Sequence, residues 1–267
     1  MKTAEDFLLA EYLKSPESKK TALVIGTDAL STFTDYQDRN NCVLFGDGAS
    51  AIVMGMGNGS LILSSHAVTK GEFGELISLN SGLESQVVGE NPLNFRSERE
   101  VNKDYFKMCG GKVLKEAIKA MKEETEYVLR EASLEKKDIS LIFPHNANNR
   151  IISDALKKLG IPEERAYLTI EKYGNNSAPS SIISMDEAYR EGKLKEGDIA
   201  VSVVFGAGFT QGAFVVDWNK TYSGKPSEYR QEERAEKLLE YVGKQLKLEL
   251  NKIYTDAGLK IIDSFGS

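Results

Sequence analysis

Ile139-Ser140-Leu141-Ile142-Phe143-Pro144-His145-Asn146-Ala147-Asn148 decides how this chain folds. The run up to Phe143 is short, apolar and rich in branched side chains, which suits a strand. Pro144 fixes the backbone at its end, so His145 emerges just past the strand's carboxyl end on a rigid turn rather than a helix. A helical pattern then returns over 149–159. Polar side chains beyond the carboxyl ends of strands are where open α/β sheets bind ligands. A second such place follows at Tyr173-Gly174-Asn175-Asn176-Ser177. Gly174 and Asn176 tolerate left-handed backbone and so present Asn175 from a loop.

Working outward, residues 4–13 read as a helix turning Phe7, Leu8, Tyr12 and Leu13 toward a core. Residues 22–26 read as a strand buried on both faces. A strand pair is expected around 45–54, and the polar segment 64–103 reads as loops and a hairpin. A long helix is predicted over 106–132, with Val113, Leu114, Ala117, Ile118, Met121, Val128 and Leu129 on one face. Strands at 166–170, 199–205 and 212–218 and a helix at 180–191 complete the pattern. Alternating strands and helices imply an α/β fold with a mixed or mainly parallel sheet and helical layers. Phe45-Gly46-Asp47-Gly48 and Phe205-Gly206-Ala207-Gly208 each read as strand, tight glycine turn, strand, which suggests duplicated halves. The expected organisation is 1–104 and 105–218 as two related halves, with 219–267 as a linker and a charged helical tail. Leu238, Leu239, Val242, Leu246 and Leu250 form one stripe of that tail.

The 267 residues suffice for one large core or two modest ones. A net charge of −6 with no basic stripe argues against nonspecific nucleic-acid binding. Two distant cysteines suit a reducing compartment rather than a disulfide scaffold. With no leader-like or membrane-length apolar run, a cytoplasmic protein away from the membrane is expected. His66, unlike His145, stands in no partner motif and reads as structural.

Five ordered segments resemble the β-ketoacyl-acyl carrier protein synthase III family of thiolase-fold condensing enzymes. They are Phe45-Gly46-Asp47-Gly48-Ala49, Pro144-His145-Asn146-Ala147-Asn148, Tyr173-Gly174-Asn175 with Ser177-Ala178, Asp186-Glu187-Ala188, and Phe205-Gly206-Ala207-Gly208-Phe209-Thr210. The resemblance runs from about residue 4 to 218 and covers the family's carboxyl-terminal two thirds. It implies a thiolase-like fold of duplicated halves whose first half is cut short at the amino terminus. The implied reaction is a decarboxylating Claisen condensation of an acyl thioester with malonyl-acyl carrier protein. His145 and Asn175 would polarise the malonyl thioester carbonyl, and the backbone N–H near Ala207 would donate in an oxyanion hole. Arg39 matches a position against the adenine of coenzyme A, and Arg150 one where an acidic carrier protein docks. Coenzyme A and phosphopantetheine thioesters enter as substrates; no metal and no resident cofactor is expected.

The departures carry equal weight. The family's cysteine nucleophile would fall just upstream of Met1. Cys42 reads as a small core residue within a strand, and Cys109 as a non-catalytic position at a helix start. The chain alone is therefore expected to be inactive in acyl transfer. It would be a fragment, a mis-started product or half of a split enzyme, in a homodimer or with a chain supplying the missing part. The alternative is a non-catalytic partner subunit. Gln211 stands where tryptophan is common, and the loop 83–100 and the tail exceed the compact pattern.

Overall fold

Two nine-residue antiparallel strand pairs organise the molecule. The computed structural model of the protein describes residues 1–15, 20–39, 42–55, 61–79 and 106–218, all within one compact unit, Met1–Lys220. Helix α1 (Lys2–Lys14) leads into β1 (Thr21–Ala29), which pairs with β2 (Asp47–Gly55) from Thr21↔Gly55 to Ala29↔Asp47. Strand β3 (Leu61–Thr69) starts a second sheet; β4 (Ile77–Leu79) and β5 (Phe106–Met108) form a small ribbon. Helix α2 (Gly110–Glu131), β6 (Leu141–Pro144), α3 (Asn149–Leu159), the single turn α4 (Ile170–Tyr173) and α5 (Ser180–Arg190) precede β7 (Asp198–Gly206) and β8 (Thr210–Trp218). The large sheet runs β3-β8-β7-β6 and is mixed: β6 pairs with β7 in parallel, while β7–β8 and β8–β3 are antiparallel.

Local chemistry sets these boundaries. Asn148 caps α3 by accepting the Arg150 N–H at 2.9 Å, and Gly160 closes it at φ +70°, a conformation that favours glycine. Along α2 the buried face recurs at helical spacing through Val113, Ala117, Met121, Val128 and Leu129 and packs with α3 on one face of the large sheet. On the other face α5 gathers Met185 and Ala188 with Phe143, Tyr167, Phe214 and Val216. Helix α5 also meets β2, and α1 meets β1, β2 and β3, so these two helices connect the two sheets.

Several expectations are corrected. Strand β1 is not buried on both faces, because alternate residues are open and Leu23, Ile25 and the cross-strand Val53 are 60%, 62% and 69% exposed. Phe7 of α1 points outward, whereas Leu8 is buried. The segment expected as loops from 64 holds most of β3. Its polar side chains find partners on helices: Ser64 Oγ donates to Val128 O at 2.9 Å, Ser65 bonds Glu5, and His66 bonds Glu124. Residues 166–170 make only a one-residue bridge, Ala166 to Ile142, before the turn of α4. Phe106–Met108 is strand rather than helix.

The internal echo is corrected, because only its second copy, Phe205–Thr210, is a glycine turn between two paired strands. Residues 42–44 are turn, not strand, and β2 pairs with β1, so Cys42 is a half-buried turn residue. Phe45 instead bridges Asn175 in parallel. The loop 83–100 and the tail from 219 lie outside the described residues.

Candidate active site

His145 sits where β6 gives out. Its N–H donates to Val203 O at 2.8 Å, extending the β6–β7 pairing by one residue and fixing the ring's origin. The side chain is 8% exposed. One edge meets the Phe205 ring at 5.2 Å and 71°, and Phe205 stacks on Phe209 at 5.7 Å. Nδ1 lies 2.8 Å from Ser180 Oγ. Burial drives the imidazole pKa down to about 4, although the nearby Asp28 carboxylate pulls upward. The ring is therefore neutral near pH 7, and a neutral imidazole can donate without carrying a charge.

Asn175 is held from both sides of its backbone. Its N–H donates to Leu44 O at 2.7 Å, and its carbonyl accepts the Gly46 N–H at 2.9 Å. Its side-chain Oδ1 accepts the Ser177 N–H at 3.0 Å in a local turn, and Ser177 adopts φ +58°. That bond fixes the amide, whose Nδ2 makes no hydrogen bond among the described residues and so keeps its capacity to donate. Asp28 at the end of β1 ties down the next residue by accepting the Ala178 N–H at 3.0 Å.

The glycines at 46 and 48 serve this approach rather than a chain reversal. A Cβ on Gly46 would lie 2.0 Å from Tyr173 O, and one on Gly48 would lie 3.0 Å from Asn176 Nδ2. Gly208, by contrast, is at φ +128° in the turn Ala207–Phe209 that joins β7 to β8. Lys70 pins that turn, with its N–H donating to Phe209 O at 2.9 Å.

The predicted residues divide into two groups. The His145 and Asn175 loops meet through Ser180, which opens α5 just after the Asn175 turn and touches His145. Ala207 is exposed two residues beyond Phe205, whose ring contacts His145. Arg150 is exposed in the first turn of α3, and Arg39 is exposed in the connection before β2. No hydrogen bond or ion pair among the described residues brings either guanidinium to His145 or Asn175. Cys42 is half-buried and Cys109 is exposed at the start of α2; neither bonds those residues. No group of three His, Cys, Asp or Glu side chains among the described residues could hold a metal ion. No helix there is long and apolar enough to cross a membrane.

The sequence reading missed two polar clusters. Beneath His145, Asn146 is fully buried; its Nδ2 donates to Pro144 O and Ser184 Oγ, and its Oδ1 accepts the Thr169 N–H at 3.0 Å. Under the sheet, Glu124 accepts from Gln211 Nε2 at 2.7 Å and pairs with His66 Nδ1 at 2.6 Å. His66 also stacks on Tyr127 at 4.0 Å. Glu124 had a signal: it falls three residues after Met121 and four before Val128, on the apolar face of α2.

The depressed pKa of His145 makes stability pH-dependent in a definite direction. Unfolded, the ring titrates near 6.5; folded, it titrates near 4. Between those values the unfolded chain holds a proton that the folded chain lacks. Stability contributed by the neutral ring is therefore complete above 6.5 and declines as pH falls toward 4, by up to about 3 kcal/mol. Urea unfolding at about pH 7 and about pH 4 should show a larger loss for wild type than for His145→Gln. Parallel losses would refute this assignment.

Two family models match the chain. One described as 3-oxoacyl-[acyl-carrier-protein] synthase III covers residues 7–71, and one described as its C terminal covers 129–218. A β-ketoacyl-[acyl-carrier-protein] synthase III of Syntrophomonas wolfei is 39% identical over 211 residues, 79% of this chain and 61% of that protein. The one from Clostridioides difficile is 41% identical over 199 residues, 74% of this chain and 59% of the relative. The crystal structure of the 3-oxoacyl-[acyl-carrier-protein] synthase III of Aquifex aeolicus superposes with a TM-score of 0.67 at 35% identity, covering 81% of this chain and 63% of that one. The chain thus spans about three fifths of the length of these relatives. These two matches, the second of which contains His145, Asn175 and Ala207, together with the shared fold, place the chain in the 3-oxoacyl-[acyl-carrier-protein] synthase III family of thiolase-like condensing enzymes.

Proposed function

We propose that this chain supplies the decarboxylation half of a synthase III type condensing site. The observation that carries this reading is two neutral donors on rigid loops that Ser180 joins: His145, buried and uncharged, and Asn175, whose amide oxygen accepts from Ser177. In the proposed step the bond between C2 of the malonyl thioester and its carboxylate carbon breaks, and carbon dioxide leaves. The electron pair moves into the thioester carbonyl, whose oxygen takes on negative charge. Donation from His145 and Asn175 stabilises that oxygen. C2 of the carbanion then bonds to the carbonyl carbon of an acyl thioester, with the N–H near Ala207 as one oxyanion donor; the adduct collapses, its C–S bond breaks, and the thiolate leaves and takes up a proton. Coenzyme A and phosphopantetheine arrive as thioester substrates. Arg39 would face the coenzyme's adenine, and Arg150 an acidic carrier protein.

We infer further that the acyl-carrying cysteine comes from polypeptide outside this sequence, contiguous or separate. Supporting this, neither Cys42 nor Cys109 bonds the His–Asn pair, and the open face of β1–β2 presents Leu23, Ile25 and Val53 to solvent. An apolar sheet face of this kind is a docking surface for more protein. A homodimer or heteromer that covers it fits the same features.

Radiolabelled acetyl-coenzyme A should leave no covalent label on the purified chain. Adding a polypeptide that carries the cysteine segment of a family member should restore condensation, and Ile25→Lys should block the rescue. Label lost on Cys109→Ser would relocate the nucleophile to this chain. Rescue that persists in His145→Ala would favour a non-catalytic partner subunit instead.

A further inference from the structure

We infer that the Ser180 hydroxyl is a positioning group that sets the tautomer of His145, placing the ring hydrogen on Nε2. The inference rests on the catalytic reading above and deepens it, because donation to a thioester oxygen requires a hydrogen on Nε2, the nitrogen that Ser180 does not occupy.

The argument is one of hydrogen accounting. Ser180 is 1% exposed, so water does not satisfy its hydroxyl. Two partners lie within reach of Oγ: the Asn146 N–H at 3.4 Å and His145 Nδ1 at 2.8 Å. The Asn146 N–H can only donate, so it occupies a lone pair of the serine oxygen. The hydroxyl hydrogen then has one recorded acceptor among the described residues, His145 Nδ1. Were Nδ1 protonated, the serine oxygen would receive two donors and its own hydrogen would be buried without a partner. The arrangement favours the Nε2–H form by roughly tenfold or more.

The serine is itself immobilised. Its N–H donates to Ser177 O at 3.1 Å, which couples it to the turn holding Asn175. Its carbonyl accepts from Ser184 Oγ at 3.0 Å. Ser184 is further engaged by Asn146 Nδ2 at 3.0 Å and Thr169 Oγ1 at 2.9 Å. The Ser177 carbonyl, the Asn146 amide and the Thr169 hydroxyl thus hold one short segment in place, and the imidazole takes its orientation from it.

The chain holds two histidines, so its 15N-histidine spectrum contains two imidazoles, and His145→Gln assigns them. For wild type we expect the His145 hydrogen on Nε2, with a one-bond N–H coupling there and an unprotonated Nδ1. Ser180→Ala should move the population about tenfold toward Nδ1–H. Ser180→Thr, which keeps a hydroxyl, should restore it. A hydrogen on Nδ1 in wild type, or an unchanged tautomer in Ser180→Ala, would overturn the inference. The wild-type spectrum decides even where the variants fold poorly. It needs no substrate, so it stands apart from any failure of the decarboxylation assay.

Discussion

Glu124→Leu should lower stability by about 3 kcal/mol, read as a lower urea midpoint at unchanged slope. The carboxyl group is 3% exposed in the middle of α2 and joins three elements through two short hydrogen bonds, to His66 on β3 and Gln211 on β8. Its removal leaves the Gln211 amide, also 3% exposed, with no described partner at Nε2, and an unsatisfied buried donor costs about 1–3 kcal/mol. The bond to His66 adds about another 1 kcal/mol. A loss of that size is a large share of the 5–15 kcal/mol by which domains are ordinarily stable. The double variant Glu124→Leu/Gln211→Leu should recover part of it, because replacing both partners by apolar groups orphans neither. Full additivity of the two single losses would refute the coupling. The site should feel the change as well, since Gln211 lies opposite Phe205 in the β7–β8 register and Phe205 packs on His145.

That cluster also shows where reading the sequence stops. Helix α3 was legible from Asn148 to Gly160 because cap, apolar stripe and left-handed stop are all local. His145 and Asn175 were legible as loop residues for the same reason, and Pro144 and Gly174 announce them. Strand β3 was not, because Ser64, Ser65 and His66 look like loop residues until Val128, Glu5 and Glu124 supply their partners from far along the chain. Strand β1 was misjudged in the opposite sense. Leu23, Val24 and Ile25 have the composition of a doubly buried strand, yet alternate residues stand open. The motif around Gly46 was recognised with the wrong reason attached. Its glycines make room for Tyr173 and Asn176, a contact no local pattern encodes.

His145→Ala should have the largest effect on chemistry, slowing malonyl-thioester decarboxylation about 10²–10³-fold, the range seen when one oxyanion donor is removed. Asn175→Ala should fall in the same range. The double variant should be little slower than either single one, because two donors that act on one oxygen act as a unit. The geometry separates this from a packing effect. His145→Gln keeps a donor of similar reach and should retain part of the rate, while His145→Phe fills the space against Phe205 and should retain none. Because the ring is neutral down to about pH 4, the wild-type rate should not fall through protonation of His145 between pH 7 and pH 5. A rate that drops across that interval in wild type and not in His145→Gln would show that the imidazole titrates during the reaction, as a base would, and would displace the neutral-donor role. Equal losses in the alanine and phenylalanine variants, with a flat profile for wild type, would leave hydrogen-bond donation as the function of this side chain.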